Sequence, residues 1–189
     1  DAPWGDINQF LREAKGGKID CGLIGLGSQT HFNVELLKLA SGADLNLVPF
    51  PAGTGAIITA ILGGHLHCTS LTWPGISAQV KAGKLRALAA TSPVKDMPQI
   101  PTFASLGMPQ VSLEVFNAVL GPPNLPRSVM ERLEPAYRRV MTDPKMVEQL
   151  EKQGYSMLYE DSATLGARIK RELAVVQEVF RKAGMKAGD

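Results

Sequence analysis

The chain of 189 residues is 44% apolar and 20% charged with a formal net charge of +2, which fits a soluble globular protein of one large domain or two small ones. Eight basic and eight acidic residues lie before Gly121, and the small excess after it builds no basic face, so nucleic acid is not an expected partner. Two cysteines make no disulfide framework, no apolar run reaches the ~18 residues that cross a bilayer, and the start at Asp1 rather than Met predicts a processed or trimmed N-terminus.

In chain order, "PWGDINQFLREAKGG" spaces Ile7, Phe10, Leu11 and Ala14 as a helix that glycines end. "KIDCGLIG" reads as a buried strand, "GLGSQTH" as a loop, and Gln29 to Ala40 as a helix. "LNLVPF" is a second strand, followed by "PAGTG" and a helix over Ala56 to Leu62. "LHCTSLT" is a third strand, a helix starts at Pro74, and "LRALAAT" is a fourth strand. This alternation with short loops predicts a parallel α/β sheet. Cys21 and Cys68 fall inside predicted strands and read as buried free thiols, since a bridge needs neighbouring strands in matched register.

After Thr91 the pattern changes. A proline-rich linker carries one short helix, Thr102 to Leu106, and "VSLEVFNAVLG" reads as a long strand. The next helix puts Met130, Leu133, Tyr137 and Val140 on one face, and Pro135 inside it predicts a kink. Asp143-Pro144 starts another helix, which Gly154 ends. "YSMLYE" reads as a strand, and Ser162 as the cap of a last helix with a core stripe of Leu165, Ile169, Leu173, Val176 and Phe180.

Ligands of open parallel sheets bind at the carboxyl ends of the strands. Here those ends are Gly25–His31, Pro51–Ala56 and Leu71–Gly75, each running into a helix whose free N–H groups favour an anion. From Cys21 to Val80 only Glu35, Lys38 and Asp44 are charged, while Ser28, Thr30, Thr54 and Thr72 offer hydroxyls. Neutral donors of this kind suit a carboxylate and do not suit acid–base chemistry. Gly25 and Gly27 are a lone GxG that turn geometry also explains. "PAGTG" is not a P-loop, because no Lys-Ser/Thr follows. "HLHC" invites a metal, yet on a strand His65 and His67 share a face while Cys68 points away, and no second ligand cluster follows; no metal and no cofactor are expected. His31 reads as a capping or packing residue, or as a base that lacks an acidic partner.

"VPFPAGTGAIITAILGGHLH", "VKAGKLRALAATSP", "MPQIPTFASLGMP" and "GPPNLPRSVMERLEPAYRRVMTDPKMVEQLEKQGY" resemble the extracytoplasmic solute-binding proteins of tripartite tricarboxylate transporters, the Bug proteins, over nearly the whole chain. The resemblance implies a type II periplasmic-binding fold: a parallel-rich sheet flanked by helices, in two α/β lobes that close on a small carboxylated solute. It implies that residues 1–112 are lobe two and residues 113–189 the returning part of lobe one, with the first part of lobe one missing and the second lobe therefore incomplete. It also implies a periplasmic address and the permease subunits of the transporter as partners.

Carried over residue by residue, "GLGSQTH" resembles the family's glycine-serine loop, so Gly27, Ser28, Gln29 and Thr30 are implied contacts. "PFPAGTGA" resembles PYKGGAPA: Phe50, Gly53 and Ala56 match, Pro51 replaces Lys and Gly55 replaces Pro. Leu71-Thr72 stands in place of Asp-Asn, which removes the partner for an ammonium group. Phe116-Asn117 lies where the returning strand re-enters lobe one. The expected ligand residues are Gly27, Ser28, Gln29, Thr30, Gly53, Thr54, Gly55, Ala56, Thr72 and Phe116. The expected function is capture of a small organic acid without catalytic turnover. The alternative is a truncated sensory or interaction module, associating with a second copy through the incomplete lobe. An enzyme using His31 or Cys21 is the third and weakest reading.

Overall fold

A computed structural model describes residues 3–17 and 19–184. Helix α1 (Ile7–Ala14) is followed by β1 (Ile19–Leu23), α2 (Gln29–Ser41), β2 (Leu45–Pro49), α3 (Thr54–Leu62), β3 (Cys68–Thr69) and α4 (Trp73–Lys81). A 3₁₀ turn at Ala104–Leu106 precedes α5 (Arg127–Met141), α6 (Pro144–Lys152) and α7 (Ser162–Ala183). The three strands form one parallel sheet in the order β2-β1-β3, with Ile19 opposite Leu45 and Cys21 opposite Cys68. Parallel strands need helical crossovers, and α2 and α3 supply them.

The chain divides into two compact units, one made of residues up to Val115 together with those from Val176 onward, the other spanning Phe116–Val175. In the first unit, alternate residues of β1 point to opposite faces of the sheet. Ile19, Cys21 and Leu23 join Trp4, Phe10, Val34 and Leu45 on one face, while Ile57, Ala60 and Leu66 cover the other. Helix α2 is buried from Thr30 through Leu37. Val34 faces the sheet, and Phe32, Leu36 and Leu37 pack against Val111, Leu113 and Val179. This helix is covered on both sides, and its buried stretch includes the polar residues Thr30, His31, Asn33 and Glu35. Only the end of the predicted α7 stripe, Val176 and Phe180 beside Val179, reaches this core; Ile169 and Leu173 are exposed.

Several elements differ from the sequence reading. Residues 85–91 are not a fourth strand of the sheet: their one bridge pairs Ala90 with Thr102, through the Ala90 N–H to the Pro101 carbonyl at 2.9 Å and the Phe103 N–H to the Ala90 carbonyl at 2.9 Å. Residues 111–121 and 155–160 are not strands, because a strand takes its hydrogen bonds from a neighbour and none of the described residues forms a ladder with them. At Leu113 a side chain takes the neighbour's place, as described below. The cap of α7 is Asp161 rather than Ser162: its Oδ1 accepts the Thr164 N–H at 2.8 Å and its carbonyl accepts the Leu165 N–H at 2.9 Å. In the second unit, Glu160 accepts three hydrogen bonds from Arg168 at 2.7–3.0 Å, and the same guanidinium lies 5.7 Å from the Phe116 ring centroid.

Candidate ligand-binding site

Three parallel strands deliver three loops to one edge of the sheet: Gly25–Ser28 after β1, Pro51–Gly53 after β2, and Leu71–Thr72 after β3. The Phe50 N–H donates to the Leu23 carbonyl at 2.7 Å, which ties the first two loops at their roots.

The first loop is closed on itself. The Ser28 hydroxyl donates to the Gly25 carbonyl at 2.6 Å, accepts the His31 N–H at 3.3 Å, and lies 2.9 Å from Oγ1 of Thr30. Ser28 is thus the N-cap of α2. Gly27 donates its N–H to Nδ1 of His31 at 2.9 Å. That bond makes Nδ1 an acceptor and leaves the ring proton on Nε2, which is 3.8 Å from Oε1 of Glu35. Burial, opposed by the Glu35 charge and helped by Lys38, pushes the His31 imidazole below its ordinary range. A neutral His31 bracing Gly27 is a packing and positioning residue. The Gln29 amide donates to the Leu113 carbonyl, so of the four carried-over residues in this loop the three that have side chains, Ser28, Gln29 and buried Thr30, all bond within the fold.

The other two helix starts are different. Gly53 is the N-cap of α3 at φ 83°, ψ −167°, a backbone conformation open to glycine alone, and no side chain caps that helix. Thr72 is the N-cap of α4, again with no side-chain cap bond. The start of α3 thus leaves the first-turn N–H groups of Thr54, Gly55 and Ala56 without a side-chain cap, whereas in α4 Pro74 has no N–H and the Gly75 N–H donates to the Thr72 carbonyl at 3.0 Å. The two ends meet at Gly75: a Cβ there would stand 3.2 Å from Cγ2 of Thr54 and 3.7 Å from Oγ1 of Thr72. Thr54 and Thr72 are neighbours, with the exposed Gly55 and half-buried Ala56 in the same first turn.

The three loops themselves carry no charged residue, while the Asp96 carboxylate accepts the indole N–H of Trp73, the first residue of α4, at 3.2 Å and pairs with Lys81. Buried Glu35 accepts from Lys38 at 3.1 Å within α2, and Asp44 lies at the opposite end of the sheet, before β2. What the three loops bring together is backbone N–H dipoles and threonine hydroxyls, neutral donors that favour an anion. Phe116 belongs to the second unit, stacked under Arg168. A groove of about 440 Å³ in that unit, lined by Arg139, Val140, Asp143, Lys145, Met146 and Gln149, contains none of the loop residues.

Two features escaped sequence reasoning. Asn33 is buried on α2 and bonds both backbone groups of Leu113; the i, i+4 pair of amides at Gln29 and Asn33 is the signal that could have shown it. His67 is bonded to the sheet, its Nδ1 accepting the Asp20 N–H at 3.0 Å, and among the described residues no three His, Cys, Asp or Glu side chains form a metal-sized cluster.

The model of the tripartite tricarboxylate transporter family receptor matches residues 1–185. Protein BugT of Bordetella pertussis is 28% identical over 176 residues, covering 92% of this chain and 54% of its own length. A TctC solute-binding protein from Polaromonas, solved without ligand, superposes with a TM-score of 0.77 at 25% identity, over 96% of this chain and 63% of its own. Rpa4515 of R. palustris, solved with adipate, superposes with a TM-score of 0.83 at 22% identity, over 96% of this chain and 62% of its own. The fold is that of these periplasmic binding proteins, and the chain spans about half the length of the curated relatives it matches.

Proposed function

The chain belongs to the tripartite tricarboxylate transporter receptor family, and from that premise we propose that it is a periplasmic solute-binding protein that captures a small organic acid and presents it to the permease subunits of a transporter, without catalytic turnover. The observation that carries the reading is the pairing at Gly75 of two helix starts that lack side-chain caps, with Thr54 and Thr72 as flanking hydroxyls and no charged residue within the three loops. Amide and hydroxyl donors in a water-poor cleft stabilise a carboxylate, because hydrogen bonds strengthen at low dielectric. Leu71-Thr72 at the third loop offers nothing anionic to an ammonium group, so the solute is an acid without an amino group. Adipate, with which the R. palustris relative was solved, is of that class. Residues 1–112 are taken as lobe two and residues 113–189 as the returning part of lobe one; the break after Val115 supports that boundary, whereas the residues from Val176 onward group with the first compact unit.

Calorimetric titration of the chain with adipate, and with amino acids of matched length, tests the reading. Tighter binding of the amino acids overturns it.

A second reading is an interaction module. It is favoured by the apolar residues that the second unit exposes, with Val119, Leu120 and Leu158 each at least 70% accessible. Sedimentation at several concentrations separates the two: association without a bound acid supports the second reading, and a monomer that binds an acid supports the first.

A further inference from the structure

Cys21 and Cys68 lie on neighbouring parallel strands as register partners. Both side chains belong to the same sheet face, Cys21 buried within the core cluster and Cys68 half-buried against it. Register partners on adjacent strands stand about 4.8 Å apart, inside the roughly 4.4–6.8 Å window of Cα separations that a disulfide spans. A one-residue slip would have turned the two thiols to opposite faces. We propose that Cys21 and Cys68 are a disulfide-forming site that cross-links the central strand β1 to the edge strand β3. The inference rests on the periplasmic reading, since that compartment keeps cysteine pairs oxidised.

The step is a thiol–disulfide exchange with a small or protein disulfide as oxidant. Cys68, the more accessible thiol, loses its proton and attacks one sulfur of the donor disulfide, expelling the other as a thiolate. Cys21, deprotonated in turn, attacks Sγ of Cys68 and expels the second donor sulfur. The chain loses two electrons and two protons, and the donor gains both as a dithiol. In the folded sheet the neighbouring Cys21 thiol and then burial push the Cys68 thiol far up, so it attacks slowly. The two-residue length of β3, on the sheet edge, provides the opening through which the donor reaches it. Once formed, the bond fastens the roots of two candidate ligand loops, since β1 runs into Gly25–Ser28 and β3 into Leu71–Thr72.

The test incubates the chain with oxidised glutathione, both folded and during refolding from urea, then denatures it, alkylates it and weighs it. The expected product is a monomer lighter by two hydrogens with neither cysteine alkylated, in at least one arm. C21S then ends as a glutathione mixed disulfide at Cys68. C68S, altered at the half-buried edge position, keeps the comparison open if C21S does not fold, and it retains one alkylatable thiol. Two alkylated cysteines in both arms, a persistent mixed disulfide in the unsubstituted chain, or a cross-linked dimer overturns the proposal. The readout needs no solute, so a chain that oxidises and binds no acid, or binds an acid and does not oxidise, separates this site from the receptor reading.

Discussion

Asn33 holds Leu113 by both of its backbone groups: Nδ2 donates to the Leu113 carbonyl at 2.8 Å, and the Leu113 N–H donates to Oδ1 at 3.1 Å. One side-chain amide thus gives a buried segment the pair of bonds that a neighbouring strand would give. Replacing Asn33 by Leu keeps the size and removes both partners. The carbonyl retains the Gln29 amide, while the N–H is left buried and unpaired, at a cost of about 1–3 kcal/mol. Urea unfolding of Asn33→Leu should show that loss, and Gln29→Ala a smaller one. Equal effects from the two variants would mean that Gln29 carries the clamp.

The same pair shows where sequence reasoning stops. From Ile19 to Lys81 the order of strands, loops and helices is legible, because apolar runs, glycines and caps such as Ser28 act over a few residues. The neutral loops are legible too, since charge is a property of residue type. Which strand lies beside which is not local. Nothing near Cys21 announces that its register partner is Cys68, and nothing near Asn33 announces Leu113, eighty positions away. Apolar runs such as 111–121 look like strands because their composition suits one, yet a strand exists only where a second chain segment pairs with it. At the candidate site, the carried-over residues fall on three loops. They do not reveal that the Ser28 and Gln29 side chains are bonded inward while Thr54 and Thr72 meet at Gly75.

His31 links stability to pH. Its folded pKa lies below the unfolded value of about 6.5, chiefly through burial, with Glu35 raising it and Lys38 lowering it. Above the unfolded value both states are neutral and the contribution is complete. As the pH falls below it, the unfolded chain takes up the proton first, so stability declines until the folded imidazole also titrates. Urea midpoints between pH 7.5 and pH 5 should fall more for the unsubstituted chain than for His31→Gln, whose amide oxygen can still accept the Gly27 N–H. Equal slopes would assign the pH dependence to other groups.

Gly53 and Gly55 lie two positions apart and should respond in opposite directions. Gly53 sits at φ 83°, ψ −167°, where an alanine is strained by about 1–3 kcal/mol. Gly55 is in the first turn of α3, and a Cβ there meets nothing within 4 Å. Gly55→Ala should therefore stabilise by up to ~1 kcal/mol, through helix propensity and a less flexible unfolded chain. Thermal melts of the two variants check both signs. A neutral Gly53→Ala would mean that the start of α3 relaxes freely.

Ser28 and Thr54 are both hydroxyl residues at helix starts, yet their bonding predicts different phenotypes. The Ser28 hydroxyl donates to the Gly25 carbonyl and accepts the His31 N–H, so its proton is engaged before any solute arrives. Ser28→Ala removes an N-cap and should lower stability by about 1 kcal/mol, with only an indirect effect on solute affinity. Thr54 follows an N-cap glycine that offers no side-chain oxygen, and it stands beside Thr72 at the meeting of α3 and α4. Thr54→Val keeps its shape and deletes the donor. If that hydroxyl binds a charged, desolvated carboxylate, affinity should fall by about 1–3 kcal/mol, or roughly 5- to 150-fold in Kd, with stability nearly unchanged. Titrating both variants with adipate, beside their urea midpoints, separates the roles. Loss of affinity in Ser28→Ala alone would place the solute at the first loop and away from the paired helix starts.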